Sequence, residues 1–287
     1  MSYTDLDKPT FARLYNKTPF MFQHQLAVHP LLSLSSVLDL AQRHARAEVL
    51  HWDGSIPVTA DIDVASKTHT ARLSLEDAID NIETAGSYVL IRNAQLDPAV
   101  GALVNEVLDE IQRLTEPMDS GMCDRIAYIF IASPGSVTPY HMDRDINFLF
   151  QIQGKKRIYV CDPMDRSVLP EEGLETLFAD WTARRPEYKP EYADKARIFE
   201  LEPGNGVHQP FTAPHWIQNY DNVSVSISMT FRSSGSHRKA GVHVFNHALR
   251  RVGVTPMPFG RNRILDSLKY QTLEQYRAAK SLLRRRR

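Results

Sequence analysis

At 287 residues, with 43% hydrophobic and 24% charged side chains, the chain has enough apolar material for a sizeable core. Lysine plus arginine balance aspartate plus glutamate at 34 each, so no global charge draws it to nucleic acid or membrane, although residues 284–287 are all arginine. Two cysteines, Cys123 and Cys161, exclude a disulfide framework and a CxxC metal site; without a signal-like N-terminus or a run of roughly 20 apolar residues, a reducing, cytoplasmic setting is expected.

Residues 35–50 show helical spacing at Val37, Leu40, Ala41 and Val49, with Ser35 or Ser36 as N-cap. Ser74 caps a second helix with Asp77 three residues on, and residues 87–94 form a short β-rich run stopped by LDP. Residues 99–114 give a third helix whose apolar stripe is Val100, Val104, Val107, Leu108 and Ile111. From Arg125 the pattern changes to short strands (RIAYIFIAS, NFLFQIQ, KRIYVCD, ARIFELE, GVHQPF, VSVSISMTF) punctuated by Pro and Gly, which predicts a sandwich, jelly roll or barrel. A helical insertion over roughly 170–194 interrupts them. Helical segments over 244–252 and from 264 to the end follow, separated by VTPMPFG. The predicted division is 1–235, with a β core over roughly 85–235, and a helical extension over 236–287.

The chemistry centres on His141-Met142-Asp143. On a strand, residues two apart share a face, so this imidazole and carboxylate can bind one metal. A histidine from another strand completes a 2-His-1-carboxylate triad, whose open positions suit iron(II), a bidentate oxoacid and dioxygen. Eleven histidines make a chance HxD easy, and His51-Trp52-Asp53 is read as such a decoy in a surface turn after a helix. His141 is better surrounded: Thr138 lies before it, Asn147 after it, and Lys155 and Lys156 begin the next strand, where either can meet an anionic cosubstrate. The second histidine is expected from LEPGNGVHQPFTAPHWIQNYD, which offers His208 and His215.

TPYHMDRDINFLFQIQGKKR resembles the TPxHxDxxxNxxxQxxGxKR stretch of JmjC-type iron(II)- and 2-oxoglutarate-dependent oxygenases, and PGNGVHQPFTAPHWIQN resembles a later segment of that family. Within it the likeness is nearest to the hypoxia-factor asparaginyl hydroxylase branch and to bacterial stand-alone cupin-like proteins. The resemblance implies a mainly β chain with α additions, a double-stranded β-helix (jelly roll, cupin-like) flanked by N-terminal and C-terminal helices. It implies His141, Asp143 and His215 as iron ligands, His215 standing five residues after Pro210, with His208 the rival. Lys156 and Thr138 would take the far carboxylate of 2-oxoglutarate, and Asn147 and Tyr128 would line the same pocket. The implied activity is hydroxylation of a protein or peptide side chain. Hydroxylation of a small molecule, or a non-catalytic ligand-binding cupin regulator, are the alternatives. A homodimer through the C-terminal helices is also implied.

Three positions depart from the family pattern: Asn205 after Pro-Gly, the order Pro214-His215-Trp216, and Ser228 where the hydroxylase has asparagine. Tyr188 and Tyr192 in the insertion are candidates for a wall over the substrate. Trp181 and Trp216 read as core, and His24, His29, His44, His69, His237, His243 and His247 as surface or capping residues. The terminal arginines complement the dipole of the last helix.

Overall fold

Pro and Gly punctuation divides the chain into strands and helices, which a computed structural model describes over residues 2–182 and 186–285. Of the regions singled out above, residues 183–185 of the insertion and Arg286 and Arg287 lie outside the described residues. The N-terminal third holds α1 (Lys8–Leu14), β1 (Phe20–Gln23), α2 (Leu34–Arg43), β2 (Val49–Asp53), α3 (Ala65–Thr68), α4 (Leu75–Asp80), β3 (Ser87–Ile91) and α5 (Pro98–Thr115). There follow β4 (Cys123–Ala132), β5 (Val137–His141), β6 (Ile146–Gln153), β7 (Lys156–Val160) and the inserted α6 (Glu171–Ala179). The last part has β8 (Arg197–Leu201), β9 (Asn205–Gln209), β10 (His215–Asn219), β11 (Ser224–Arg232), α7 (Ser234–Arg251) and α8 (Arg263–Arg285).

The strands form two antiparallel sheets, ordered β1-β9-β6-β11-β4-β3-β2 and β5-β10-β7-β8. Strands β4 to β11 pass back and forth between the sheets, with only the consecutive pair β7 and β8 staying together in the smaller one, which makes a double-stranded β-helix: a jelly roll with β1, β2 and β3 extending its larger sheet. The central strands β6 and β11 of the larger sheet are buried on both faces. Phe148, Phe150 and Ile152 of β6 and Val225, Ile227 and Met229 of β11 pack under Phe11, Val37, Leu40, Val104, Leu108 and Ile111 from α1, α2 and α5. The alternate residues, including Asn147, Gln151, Ser224, Ser226 and Ser228, are buried on the inner side of the roll.

Several boundaries differ from expectation. Helix α2 is capped by Ser33, whose hydroxyl accepts from the Ser36 amide, and it ends at Arg43. Val49, which fits its helical spacing, instead opens β2, because residues 49–53 find a full ladder against β3. His51 and Asp53 therefore sit on a strand and not in a turn. Helix α7 starts ten residues earlier than its apolar pattern, at a capping box between Ser233 and Ser236 that offsets the poor helix propensity of SSGS. Strands β1 and β2, of four and five residues, are not among the strands expected from the sequence.

Candidate functional site

Strand β10 lies between β5 and β7, with His215 opposite His141 on one side and Val160 on the other. Hence two histidines from adjacent strands stand side by side, ring centroids 4.1 Å apart. Strand β5 ends at His141, and Asp143 follows in the connection to β6. The two residues share a site because the chain turns there, and the same-strand geometry expected for the pair is corrected accordingly. Asp143 Oδ1 is 3.8 Å from His141 Nε2, and Oδ2 is 3.9 Å from His215 Nε2. Among the described residues, one potential ligand atom from each of the three lies within 4.8 Å of the others.

The outer nitrogens of both rings are engaged. His141 Nδ1 is 2.8 Å from the Pro139 carbonyl and His215 Nδ1 is 3.0 Å from that of Ala213. A carbonyl only accepts, so each Nδ1 donates and each Nε2 is the nitrogen turned to the cluster. The Asn147 amide donates to Asp143 Oδ2 at 3.2 Å. This donor set, two imidazoles and a carboxylate held from behind, fits a divalent first-row metal.

His208 is elsewhere. Fully buried on β9, its Nε2 accepts from the Asn16 amide at 3.0 Å, its Nδ1 lies 3.1 Å from the Asn147 carbonyl, and its ring packs on Tyr15, Phe20 and Phe148. Burial pushes its pKa down to about 3, so it is a neutral core residue. His51 and Asp53 bond the Leu73 carbonyl and Ser55 respectively, and among the described residues no third metal donor joins them.

The cluster opens on a cavity of about 260 Å³ inside the roll. Its wall includes Thr138, Tyr128, Asn147 and Ser228, all four positions weighed from sequence, and also Trp52, Tyr88, Gln209 and Arg92, which were not. Thr138 Oγ1 and the Tyr88 hydroxyl are 2.8 Å apart, and Tyr88 stacks on Trp52. Asn147 Oδ1 and Gln209 Oε1 are buried with no donor among the described residues, leaving two acceptors for a ligand or water.

Lys156 faces into the roll and Lys155 faces out, where it pairs with Glu202. The Lys156 ammonium is bonded to the Ser226 hydroxyl at 2.8 Å. Ser226 is two residues, hence one inward position, below the cavity's Ser228. Burial alone lowers the Lys156 pKa to about 7. A buried amine bonded to a neutral hydroxyl is a costly arrangement that an incoming anion relieves.

Other readings need correction. Tyr188 and Tyr192 pack with Tyr140 and Trp216 on the outer side of the smaller sheet and do not line the cavity. They face this way because Tyr140 and Trp216 each adjoin an inward-facing histidine and point oppositely. Trp216 is core, but Trp181 is 67% exposed with the Arg144 guanidinium over its ring. His24 and His243 are interior residues, their pKa values pushed down by burial to about 4 and about 3. Asn205 serves the turn, its side chain accepting from the Glu202 amide.

A family model described as a cupin-like domain matches residues 38–237. The chain belongs to the cupin-like domain family. HSPB1-associated protein 1 homolog of Danio rerio is 31% identical over 118 residues, 38% of this chain and 26% of that protein. HSPB1-associated protein 1 of Bos taurus is 29% identical over 118 residues, 38% and 24% respectively. The chain thus spans about a quarter of the length of the curated relatives it matches. An X-ray structure of YcfD from Escherichia coli shares the fold, with a TM-score of 0.51 and 17% identity over 96% of this chain and 69% of that one. Among the described residues, no helix of this cupin-like protein is long and apolar enough to cross a membrane.

Proposed function

We propose that this cupin-like protein is an iron(II)- and 2-oxoglutarate-dependent oxygenase. The observation that carries the reading is the coexistence, in one roll, of the His141–Asp143–His215 donor set and a buried lysine bonded to a hydroxyl. A ligand-sensing cupin needs no such lysine. His141, Asp143 and His215 would hold the metal. Iron(II) bound there supplies the dioxygen chemistry that converts 2-oxoglutarate to succinate and CO2 while a substrate C–H bond is oxidised.

The chain's own contribution is positional. The Pro139 and Ala213 carbonyls fix both imidazole tautomers, and the Asn147 amide holds one carboxylate oxygen of Asp143. Lys156, with Thr138 nearer the metal, would receive the far carboxylate of 2-oxoglutarate. Trp52, Tyr88, Leu149 and Ile217 give the cavity an apolar wall that excludes water.

For the primary substrate we favour a protein or peptide side chain, on the likeness to the asparaginyl hydroxylase branch. The E. coli protein of the same fold is described as a ribosomal oxygenase. A small amino-acid-like substrate is the second reading, favoured by Arg92 and Asp63 in the same cavity wall. The test is succinate formation from 2-oxoglutarate and iron(II), with peptide and free amino-acid pools as separate stimulants. Stimulation by peptides supports the first reading and by amino acids the second. Iron-loaded protein that neither binds nor consumes 2-oxoglutarate overturns both.

We take residues 1–235 as the oxygenase unit and 236–287 as a helical extension that joins two chains. Leu273 of α8 is buried, whereas Ile264, Leu268, Tyr276, Leu282 and Leu283 are exposed, an apolar face that a second copy would cover. Sedimentation of the full chain should give a dimer, and deletion of residues 261–287 should give monomer or insoluble protein. A full-length monomer at high concentration would rule this out. The free cysteines Cys123 and Cys161 accord with a cytoplasmic setting.

A further inference from the structure

Where β4 begins, a second group of donors stands apart from the cavity. Cys123 Sγ and His237 Nε2 are 3.4 Å apart, and Asp124 Oδ2 is 3.8 Å from the same His237 nitrogen. Adjacent strand residues normally face opposite sides. Asp124 escapes this rule because its φ is +52°, a left-handed conformation that aspartate tolerates, and its carboxylate comes round to the side of the Cys123 sulfur. His237 reaches the pair from the first turn of α7, which the Ser233 capping box fixes against β11. The three ligand atoms lie within 4.8 Å of one another.

We propose that Cys123, Asp124 and His237 form a second metal site, selective for zinc-like ions and distinct from the His141–Asp143–His215 cluster. A tetrahedral zinc with sulfur at about 2.3 Å and nitrogen at about 2.0 Å sets those two donors roughly 3.5 Å apart, close to the spacing of Cys123 and His237. Thiolate, imidazole and carboxylate together select zinc over magnesium or calcium, which prefer oxygen donors alone. The surrounding charge is compatible. Arg232 lies 3.9 Å from Asp124 but is bonded to Asp145 at 2.7 Å, so thiolate, two carboxylates, guanidinium and a divalent ion leave the site neutral. With Asp124 and His237 each about half exposed, an ion can enter from solvent, and three protein donors leave a coordination position for water. The site ties the first strand of the roll to the helix that leaves its last strand, so its ion would brace the junction between the roll and the C-terminal helices.

The experiment uses full-length chain carrying His141→Ala and Asp143→Ala, which leaves His215 as the single remaining donor of the cavity cluster, and measures zinc by equilibrium dialysis. One equivalent is expected, lost when Cys123→Ser or His237→Ala is added. Cobalt(II) in place of zinc should give a thiolate-to-metal charge-transfer band that Cys123→Ser removes. In the otherwise unaltered chain, zinc should protect Cys123 from alkylation, a clean readout because Cys161 is fully buried. No zinc in the cluster-deleted chain, zinc retained after Cys123→Ser, or an alkylation rate indifferent to zinc would each overturn the proposal.

Discussion

Asp143→Ala is expected to strip iron(II) from the purified chain and reduce 2-oxoglutarate turnover by about a thousandfold or more, since a catalytic metal is worth several kcal/mol of barrier. The carboxylate is the cluster's one anionic donor and lies within 4 Å of both imidazoles. His215→Ala should do the same. His208→Ala separates the two histidines of the PGNGVHQPFTAPHW segment: it should keep its iron but lose about 3 kcal/mol of stability, because it removes a fully buried ring and leaves the Asn16 amide unmet. Iron content with urea unfolding distinguishes the two. Full iron binding by Asp143→Ala would show that the cluster is not the metal site.

Lys156→Ala should weaken 2-oxoglutarate by about ten- to a hundredfold or more while iron still binds, the worth of a charge-assisted hydrogen bond of roughly 1.5–3 kcal/mol. Lys155→Ala should change little, since that side chain is exposed on Glu202. The effect carries a pH signature. With a pKa near 7 before the ligand arrives, Lys156 is increasingly neutral above that pH, whereas the carboxylate requires the ammonium. Affinity should therefore level off below pH 7 and fall about tenfold per unit above it, until the lysine ceases to titrate. Calorimetry in buffers of different ionisation enthalpy should register proton uptake on binding near neutral pH, and Lys156→Ala should abolish it. A pH-independent affinity would place the carboxylate elsewhere.

Much of this arrangement is legible in the residues, for identifiable reasons. The β core could be read because its strands are long or strongly alternating: β11 places Ser224, Ser226 and Ser228 on one side and Val225, Ile227 and Met229 on the other. That serine row signals a polar interior and could have pointed to Ser226 as the partner of Lys156. The inward sense of Lys156 over Lys155 follows from the same period of two. What could not be read depends on partners distant in sequence. Trp52 and Tyr88 enter the cavity wall through β2, which pairs with β3, and β3, which pairs with β4, and no local pattern announces either pairing. The outward turn of Tyr188 and Tyr192 depends on the opposite side of strands carrying the histidines. Spacing from Pro210 selected His215, but the distinction from His208 is physical: one ring joins Asp143 and the other fills both its nitrogens within the core.

The central place of β11 also bears on the tempo of folding. It is the last strand made, yet it lies between β4 and β6, pairing Ser228 with Tyr128, one hundred positions earlier, and with Leu149. The larger sheet therefore cannot close until residue 232 has been synthesised, and the facing edges of β4 and β6 wait with unpaired backbone groups. Such long-range closure makes for slow folding and a nascent chain prone to edge-to-edge association. In a cell, the yield of this protein should then depend on chaperone capacity and synthesis rate more than on the stability of the finished roll.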